Sequence, residues 1–202
     1  MAQNDLADGV RAPVSDAKIL VVDDEPHLVG MYASMLEGGH TVKTATSGQA
    51  ALRKLDGSFD IMLLDRRMPD LSGDEVLKTI RAQGLDCRIA LVTSVEPDYE
   101  IIDLQFDAYV VKPVRRTDLH ELVENLILRS RFSDGVKETL STTSKLVALE
   151  SQYDEEELSS NSEYQALLEE KRRLDELNRE RMEELVERGD TGMVFQDVFR
   201  EV

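Results

Sequence analysis

The sequence predicts an α/β fold over residues 17–131, a doubly wound parallel sheet of five strands with helices on both faces, followed by a helical C-terminal extension. Three observations predict it. Short apolar runs without polar breaks, at Lys18-Ile19-Leu20-Val21-Val22, Ile61-Met62-Leu63-Leu64, Ile89-Ala90-Leu91-Val92 and Tyr109-Val110-Val111, read as strands covered on both faces. Segments of helical period separate them, and right-handed crossovers then leave little topological choice, so the strand order 2-1-3-4-5 is expected. Strand-like runs vanish after Arg131, while helical periodicity continues.

Residues 1–16 mix Asp, Gly, Ala, Pro and Ser without apolar periodicity and are expected to be a disordered lead-in. After the first strand, Glu25-Pro26 opens a helix with apolar Leu28, Val29, Tyr32, Met35 and Leu36, which Gly38-Gly39 ends. His27, in its first turn, reads as a solvated surface residue. Thr41 to Ala45 alternates like a half-exposed edge strand, and Ser47 caps a short helix carrying Ala51, Leu52 and Leu55. Asp56-Gly57-Ser58 then turns the chain into the central strand. Ser72-Gly73-Asp74-Glu75 has capping-box spacing ahead of Val76, Leu77 and Ile80, and Gly84 closes that helix. The connection from Ser94 to Ala108 leaves room for a helix of about two turns. Thr117-Asp118 starts the next helix, with Leu119, Leu122, Val123 and Leu126 on one face.

Each buried strand delivers a polar group where it leaves the sheet. The first ends in Asp23-Asp24, the central one in Asp65, the fourth in Thr93 and the fifth in Lys112-Pro113. In an open parallel sheet, chemistry collects beyond the carboxyl ends of the strands, and strands one and three are neighbours at the switch point. An acidic pair, a lone Asp, a hydroxyl and an ammonium suit a hard cation and a phosphoryl group better than acyl transfer or redox chemistry.

In that order, DD after strand one, LLDxxMPxxxG around strand three, a hydroxyl after strand four and KP after strand five resemble the receiver domain of two-component response regulators. The resemblance covers residues 17–131 and implies a flavodoxin-like fold. It implies Asp65 as phosphoacceptor, Asp23 and Asp24 as Mg²⁺-binding acids, Thr93 as switch hydroxyl, Lys112 as phosphoryl-binding lysine and Tyr109 as switch aromatic. Arg67 falls where the family uses a backbone carbonyl as metal ligand, beside Asp65 itself. Tyr109 is also readable as a core or edge aromatic. The short connection before Lys112, without the usual Gly, departs from the family at a face many relatives use for dimerisation.

Beyond the receiver, residues 132–188 read as amphipathic helices and 189–202 as a tail. Val136, Leu140, Leu146, Val147, Leu149 and Tyr153 mark one helix, and Asp154 to Ser162 breaks it. Ser160 with Glu163 has capping-box spacing for a second, with Tyr164, Leu167, Leu168, Leu174, Leu177, Met182 and Leu185 on its apolar side. Such a hairpin or coiled coil buries little alone, so its stripe is expected to meet a second copy, its own receiver or the preceding helix. Tyr164-Gln165-Ala166-Leu167-Leu168 and the leucine-spaced stretches around it resemble the HalX domain of haloarchaeal regulators.

Charge narrows the function. The chain carries 41 acids against 24 basic residues, a net of −17, and among the basic ones 16 Arg against 8 Lys. That balance argues against unaided binding to nucleic acid or anionic membrane, and it resembles proteins adapted to high intracellular salt. Residues 132–202 hold 19 acids and 9 Lys+Arg and show no helix-turn-helix spacing, so a role at promoters would run through protein partners. The single cysteine, Cys87, excludes an intrachain disulfide, and no zinc-ligand cluster is present. No apolar run reaches membrane-spanning length and no signal-peptide core is seen, so a cytoplasmic location is expected.

The resemblance therefore implies a response regulator that takes a phosphoryl group from a sensor histidine kinase and signals to a downstream protein, without turning over an external substrate. A phosphorylation-independent interaction module is the alternative, and a transcription regulator working through protein contacts is another.

Overall fold

A computed structural model of the chain describes residues 17–97, 99–188 and 194–195, with Arg188 and the last two described by backbone alone. Thus the lead-in expected over 1–16 lies outside the described residues, as does most of the tail. Strands β1 (Lys18–Val22), β2 (Thr41–Ala45), β3 (Ile61–Leu64), β4 (Arg88–Thr93) and β5 (Ala108–Val111) form a parallel sheet in the order β2-β1-β3-β4-β5. Helices α1 (Pro26–Leu36), α2 (Gly48–Lys54) and α3 (Gly73–Ala82) connect the first four strands.

Alternation along the strands builds two cores. Leu20, Val22, Met62, Leu64, Ile89 and Leu91 face α2 and α3, where Ala51, Val76, Leu77 and Ile80 meet them. Ile19, Val21, Ile61, Leu63, Ala90 and Val92 face the other way, toward Tyr32 and Leu36 of α1 and toward Leu119, Leu122, Val123 and Leu126. All four residues of β3 are at most 2% exposed, each burial worth about 2 kcal/mol, so this strand is fixed in register from both sides. Local signals also act as the sequence indicates. Ser47 Oγ accepts from Ala50 N, and Ser72 with Glu75 forms a reciprocal capping box.

The structure departs from expectation at four places. Among the described residues between β4 and β5 the chain forms a 3₁₀ turn, Tyr99–Ile101, rather than two helical turns, because the connection is short and spends Leu104 and Phe106 on the core next to β5. The helix after β5, α4 (Arg116–Glu150), runs 35 residues without interruption, about 50 Å, straight through the expected boundary at 131/132. It starts at Arg116, where Asp118 Oδ2 accepts from Arg115 N. The segment expected as a break instead contains α5 (Glu155–Ser160), capped by Asp154. The cap of α6 (Ser162–Arg188) is therefore Asn161, not Ser160; its Oδ1 accepts from Glu163 N and Tyr164 N. Finally, a sixth strand, β6 (Val194–Phe195), adds antiparallel to β5 and covers its unpaired edge.

α6 folds back on α4. Leu174 is 2% exposed and Leu146 4%, so the apolar stripe of α6 meets the preceding helix, one of the partners expected for it. Polar contacts fix the register: Asn178 Nδ2 donates to Thr139 Oγ1 at 3.0 Å, and Arg181 Nη1 to the Arg131 carbonyl at 2.7 Å. Lys137 Nζ reaches Asp86 at 2.6 Å and ties the hairpin to the loop before β4.

Candidate functional site

The carboxyl ends of β1, β3, β4 and β5 meet at one end of the sheet. There Lys112 Nζ donates to Asp23 Oδ2 at 2.6 Å and to Asp65 Oδ1 at 2.8 Å. Both carboxylates are buried, at 2% and 5% exposure, so one ammonium stands between two desolvated acids. Burial alone would lower the Lys112 ammonium, but its bonds to Asp23 and Asp65 outweigh that and hold it above its ordinary value.

Backbone geometry positions each of these groups. Asp65 N donates to Val22 O at 2.8 Å and Lys112 N to Thr93 O at 2.8 Å, so the strand ends are laced together just where their side chains diverge. Asp23 Oδ1 accepts from Glu25 N at 3.0 Å, and Asp65 Oδ2 from Arg67 N at 2.8 Å. The Gly of the LLDxxMPxxxG pattern has a steric reason. A Cβ on Gly73 would stand 2.2 Å from the Asp65 carbonyl oxygen, so only glycine lets α3 begin this close to the acid.

Thr93 is fully buried, and its Oγ1 accepts from Val95 N at 3.3 Å. Tyr109 is also turned inward, 3% exposed, with its hydroxyl donating to Val95 O at 2.8 Å. The two side chains thus hold the same residue of the β4–β5 connection. Asp24 is half-buried next to Asp23, the Arg67 side chain is exposed, and His27 lies on the surface. Tyr32 adds a buried phenol from α1; burial raises its pKa, and it feels the charges of Lys112, Asp23 and Asp65.

Arg66 was not singled out by the sequence. Its side chain is 1% exposed and donates to Asp74 at 3.0 Å and to Glu100 at 3.1 Å. Burial opposes its charge, but Asp74 and the neighbouring Tyr109 hydroxyl more than restore it.

Comparison with known proteins identifies this arrangement. The model of the response regulator receiver domain matches residues 19–124, just over half of the chain. The chain belongs to the response regulator receiver family. A HalX domain follows at residues 128–201. A candidate transcriptional regulator of Haloferax volcanii is 48% identical over 141 residues, covering 69% of this chain and 24% of that protein. Response regulator SaeR of Staphylococcus aureus is 33% identical over 117 residues, covering 56% of this chain and 51% of SaeR. The chain therefore spans about a quarter and about half of these curated relatives. Among solved structures, a receiver domain protein of Clostridium thermocellum superposes with a TM-score of 0.52 at 31% identity. It covers 57% of this chain and 97% of that one. The BeF3-activated receiver domain of DrrB, from Thermotoga maritima, gives 0.51 at 27% identity, covering 55% and 97%.

The chain thus carries a receiver domain of the kind found in two-component response regulators and a HalX domain, both regulatory rather than catalytic families. Receiver domains generally bind Mg²⁺, and the residues here suit it. Asp23, Asp24 and Asp65 bring three negative charges against one from Lys112, a surplus that a divalent cation with oxygen ligands would balance. Among the described residues no three acidic, His or Cys side chains already stand at metal-binding geometry. Lys112 occupies the space between two of the acids, and Asp24 stands at the rim. Among the described residues no helix is long and apolar enough to cross a membrane.

Proposed function

We propose that Asp65 accepts a phosphoryl group from the phosphohistidine of a sensor histidine kinase in the cytoplasm. An Asp65 carboxylate oxygen attacks phosphorus, the P–N bond breaks, the imidazole leaves with the electron pair, and an acyl phosphate remains. Asp23, Asp24, Asp65 and the Arg67 backbone carbonyl would hold Mg²⁺. A divalent cation held there would supply positive charge to offset the negative charge of the incoming phosphoryl group. Lys112 leaves Asp23 to hold a phosphoryl oxygen, and the Thr93 hydroxyl donates to another. Thr93 then gives up Val95 N, and Tyr109 follows the connection to which it is bonded. One observation carries this reading: a single ammonium bridging two buried carboxylates on neighbouring strand ends. Incubation with Mg²⁺ and acetyl phosphate should label the chain at Asp65 alone, and label persisting in Asp65→Asn would overturn the assignment.

The output is a conformational signal to a downstream protein, not turnover of an external substrate. The name of the Haloferax relative favours a role at promoters; the acidic region 132–202 opposes phosphate contact, so that role would run through protein partners. A homodimer through the C-terminal helices belongs to the same reading. With Leu174 covered by α4, the apolar groups left for a second copy include Leu140, Val147, Met182 and Val186, each at least 40% exposed.

A further inference from the structure

We infer that Arg66 is a positioning residue that couples the end of the acceptor strand to the β4–β5 connection, through its bonds to Asp74 and Glu100. The inference rests on the reading of Asp65 as phosphoacceptor, because it concerns how occupancy of that residue reaches the rest of the receiver.

Arg66 follows Asp65 directly, and its guanidinium is almost wholly shielded from water. A charged group in such a place must be held by partners, and here they lie on two different elements. Nε donates to both Asp74 oxygens, at 3.0 and 3.2 Å, in the first turn of α3. Nη2 donates to Glu100 Oε2 at 3.1 Å in the 3₁₀ turn. The Tyr109 hydroxyl on β5 helps hold the guanidinium charged, raising its pKa. That hydroxyl donates to Val95 O, and Val95 N donates to Thr93 Oγ1. The connection that carries Val95, and through it Thr93, is therefore tied to the acceptor strand behind the site as well, by way of Arg66 and Glu100.

The connection needs such a tie. Its described residues form no α-helix to hold their own shape, and Tyr99 and Ile102 stand 91% and 69% exposed. Its anchors among the described residues include Leu104, Phe106, the bond from Arg81 Nε to the Gln105 carbonyl and the hydrogen bonds just named. Arg66 is fixed at the other end by Asp74, on a helix whose start is pressed against Asp65. When Thr93 turns toward a phosphoryl group and releases Val95 N, the length of the Arg66 side chain sets how far Glu100 and the connection can follow. Lysine could not take its place, since a point charge cannot hold Asp74 and Glu100 together as a planar fork does.

Hydrogen exchange of the full chain, read by mass spectrometry over the connection with and without Mg²⁺ plus beryllofluoride, tests this. In Arg66→Gln and in Glu100→Gln, resting exchange there should rise about tenfold, as expected for loss of a charge-assisted tie to a surface segment. Beryllofluoride should still bind Arg66→Gln within about threefold of the parent, yet no longer alter exchange in the connection. Arg66→Lys should not restore the response. Glu100 is a surface residue, so its variant folds even if Arg66→Gln does not, and parent-like resting exchange in Glu100→Gln would overturn the inference. A parent chain unresponsive to beryllofluoride would instead count against the phosphoacceptor reading, leaving the resting comparison to decide on Arg66.

Discussion

Replacing Gly73 by alanine adds one methyl group where α3 meets the backbone of the acceptor loop most closely among the described receiver glycines. That methyl would lie 2.2 Å from the Asp65 carbonyl oxygen, 2.9 Å from Arg66 Cα and 3.0 Å from the Asp65 carbonyl carbon. All three obstacles are backbone atoms, so no side-chain rotation relieves the clash. Either α3 retreats or the acceptor loop moves, by about an ångström, to restore van der Waals separation. Overpacking of this kind costs about 1–3 kcal/mol, and a rigid neighbour puts the cost at the upper end. The alanine returns less than about 1 kcal/mol through helix propensity, since the site is the first helical residue. A net loss near 2 kcal/mol should lower the melting temperature by roughly 8 °C for a receiver of this size. Acetyl phosphate labelling should slow as well, because the loop that must shift carries the Arg67 N–H bonded to Asp65. Gly30→Ala is the matched control: its Cβ meets nothing within 4 Å on an exposed face of α1, so it should stabilise by about 0.5–1 kcal/mol and leave labelling unchanged. A Gly73→Ala chain with parental stability and labelling would refute the account of that glycine.

Other variants probe separate parts of the molecule. Asp24→Ala should weaken Mg²⁺ binding by about tenfold while leaving the fold intact, and unchanged affinity in a calorimetric titration would remove Asp24 from the metal site. Burial pushes the Cys87 thiol up to about 12 from an ordinary 9.0. The folded state thus keeps a proton the unfolded chain gives up first, so its contribution is intact below pH 9 and is lost as pH rises toward 12, by up to about 4 kcal/mol. Urea denaturation at pH 8 and pH 11 should show a smaller alkaline loss in Cys87→Ala than in the parent; equal losses would contradict the burial argument. Val147→Glu combined with Met182→Glu should convert a dimer to a folded monomer on sedimentation in high salt, and a parent that already sediments as a monomer excludes association through the hairpin.

Strand ends were legible because the signals that make them are local. An unbroken apolar run such as Ile61 to Leu64 identifies a doubly buried strand, and the next residue must leave the sheet at its carboxyl end. Parallel order then brings Asp23, Asp65, Thr93 and Lys112 together without further information. Arg66 escaped because, once the chain quits the strand, period-two alternation no longer assigns inside and outside. Arg66 and Arg67 are adjacent and chemically alike, yet one side chain is 1% exposed and the other 64%. Asp74, eight residues on, takes Arg66 alone, while Glu100, thirty-four on, lies 3.1 Å from Arg66 and 3.8 Å from Arg67, and neither pairing leaves a mark at short range.

The long helix α4 was illegible for a related reason. Ser130, Ser133, Asp134 and Gly135 weaken helix propensity just where the last receiver turn was expected to end, and Gly135 alone costs about 1 kcal/mol in a helix interior. Tertiary packing reverses that preference. A Cβ on Gly135 would stand 2.0 Å from Asn178 Oδ1 and 2.7 Å from Arg181 Nη1, so the residue least suited to a free helix is the one that lets α6 approach. The same approach lets Arg181 reach the Arg131 carbonyl and Asn178 reach Thr139. The helix is therefore continuous because α6 lies against it. Its first part packs on the sheet through Leu119, Leu122, Val123 and Leu126, while its second carries the hairpin. A tilt of α4 on the sheet would move the hairpin with it as one lever, with the exposed Lys137–Asp86 pair as a weak brake at the fulcrum.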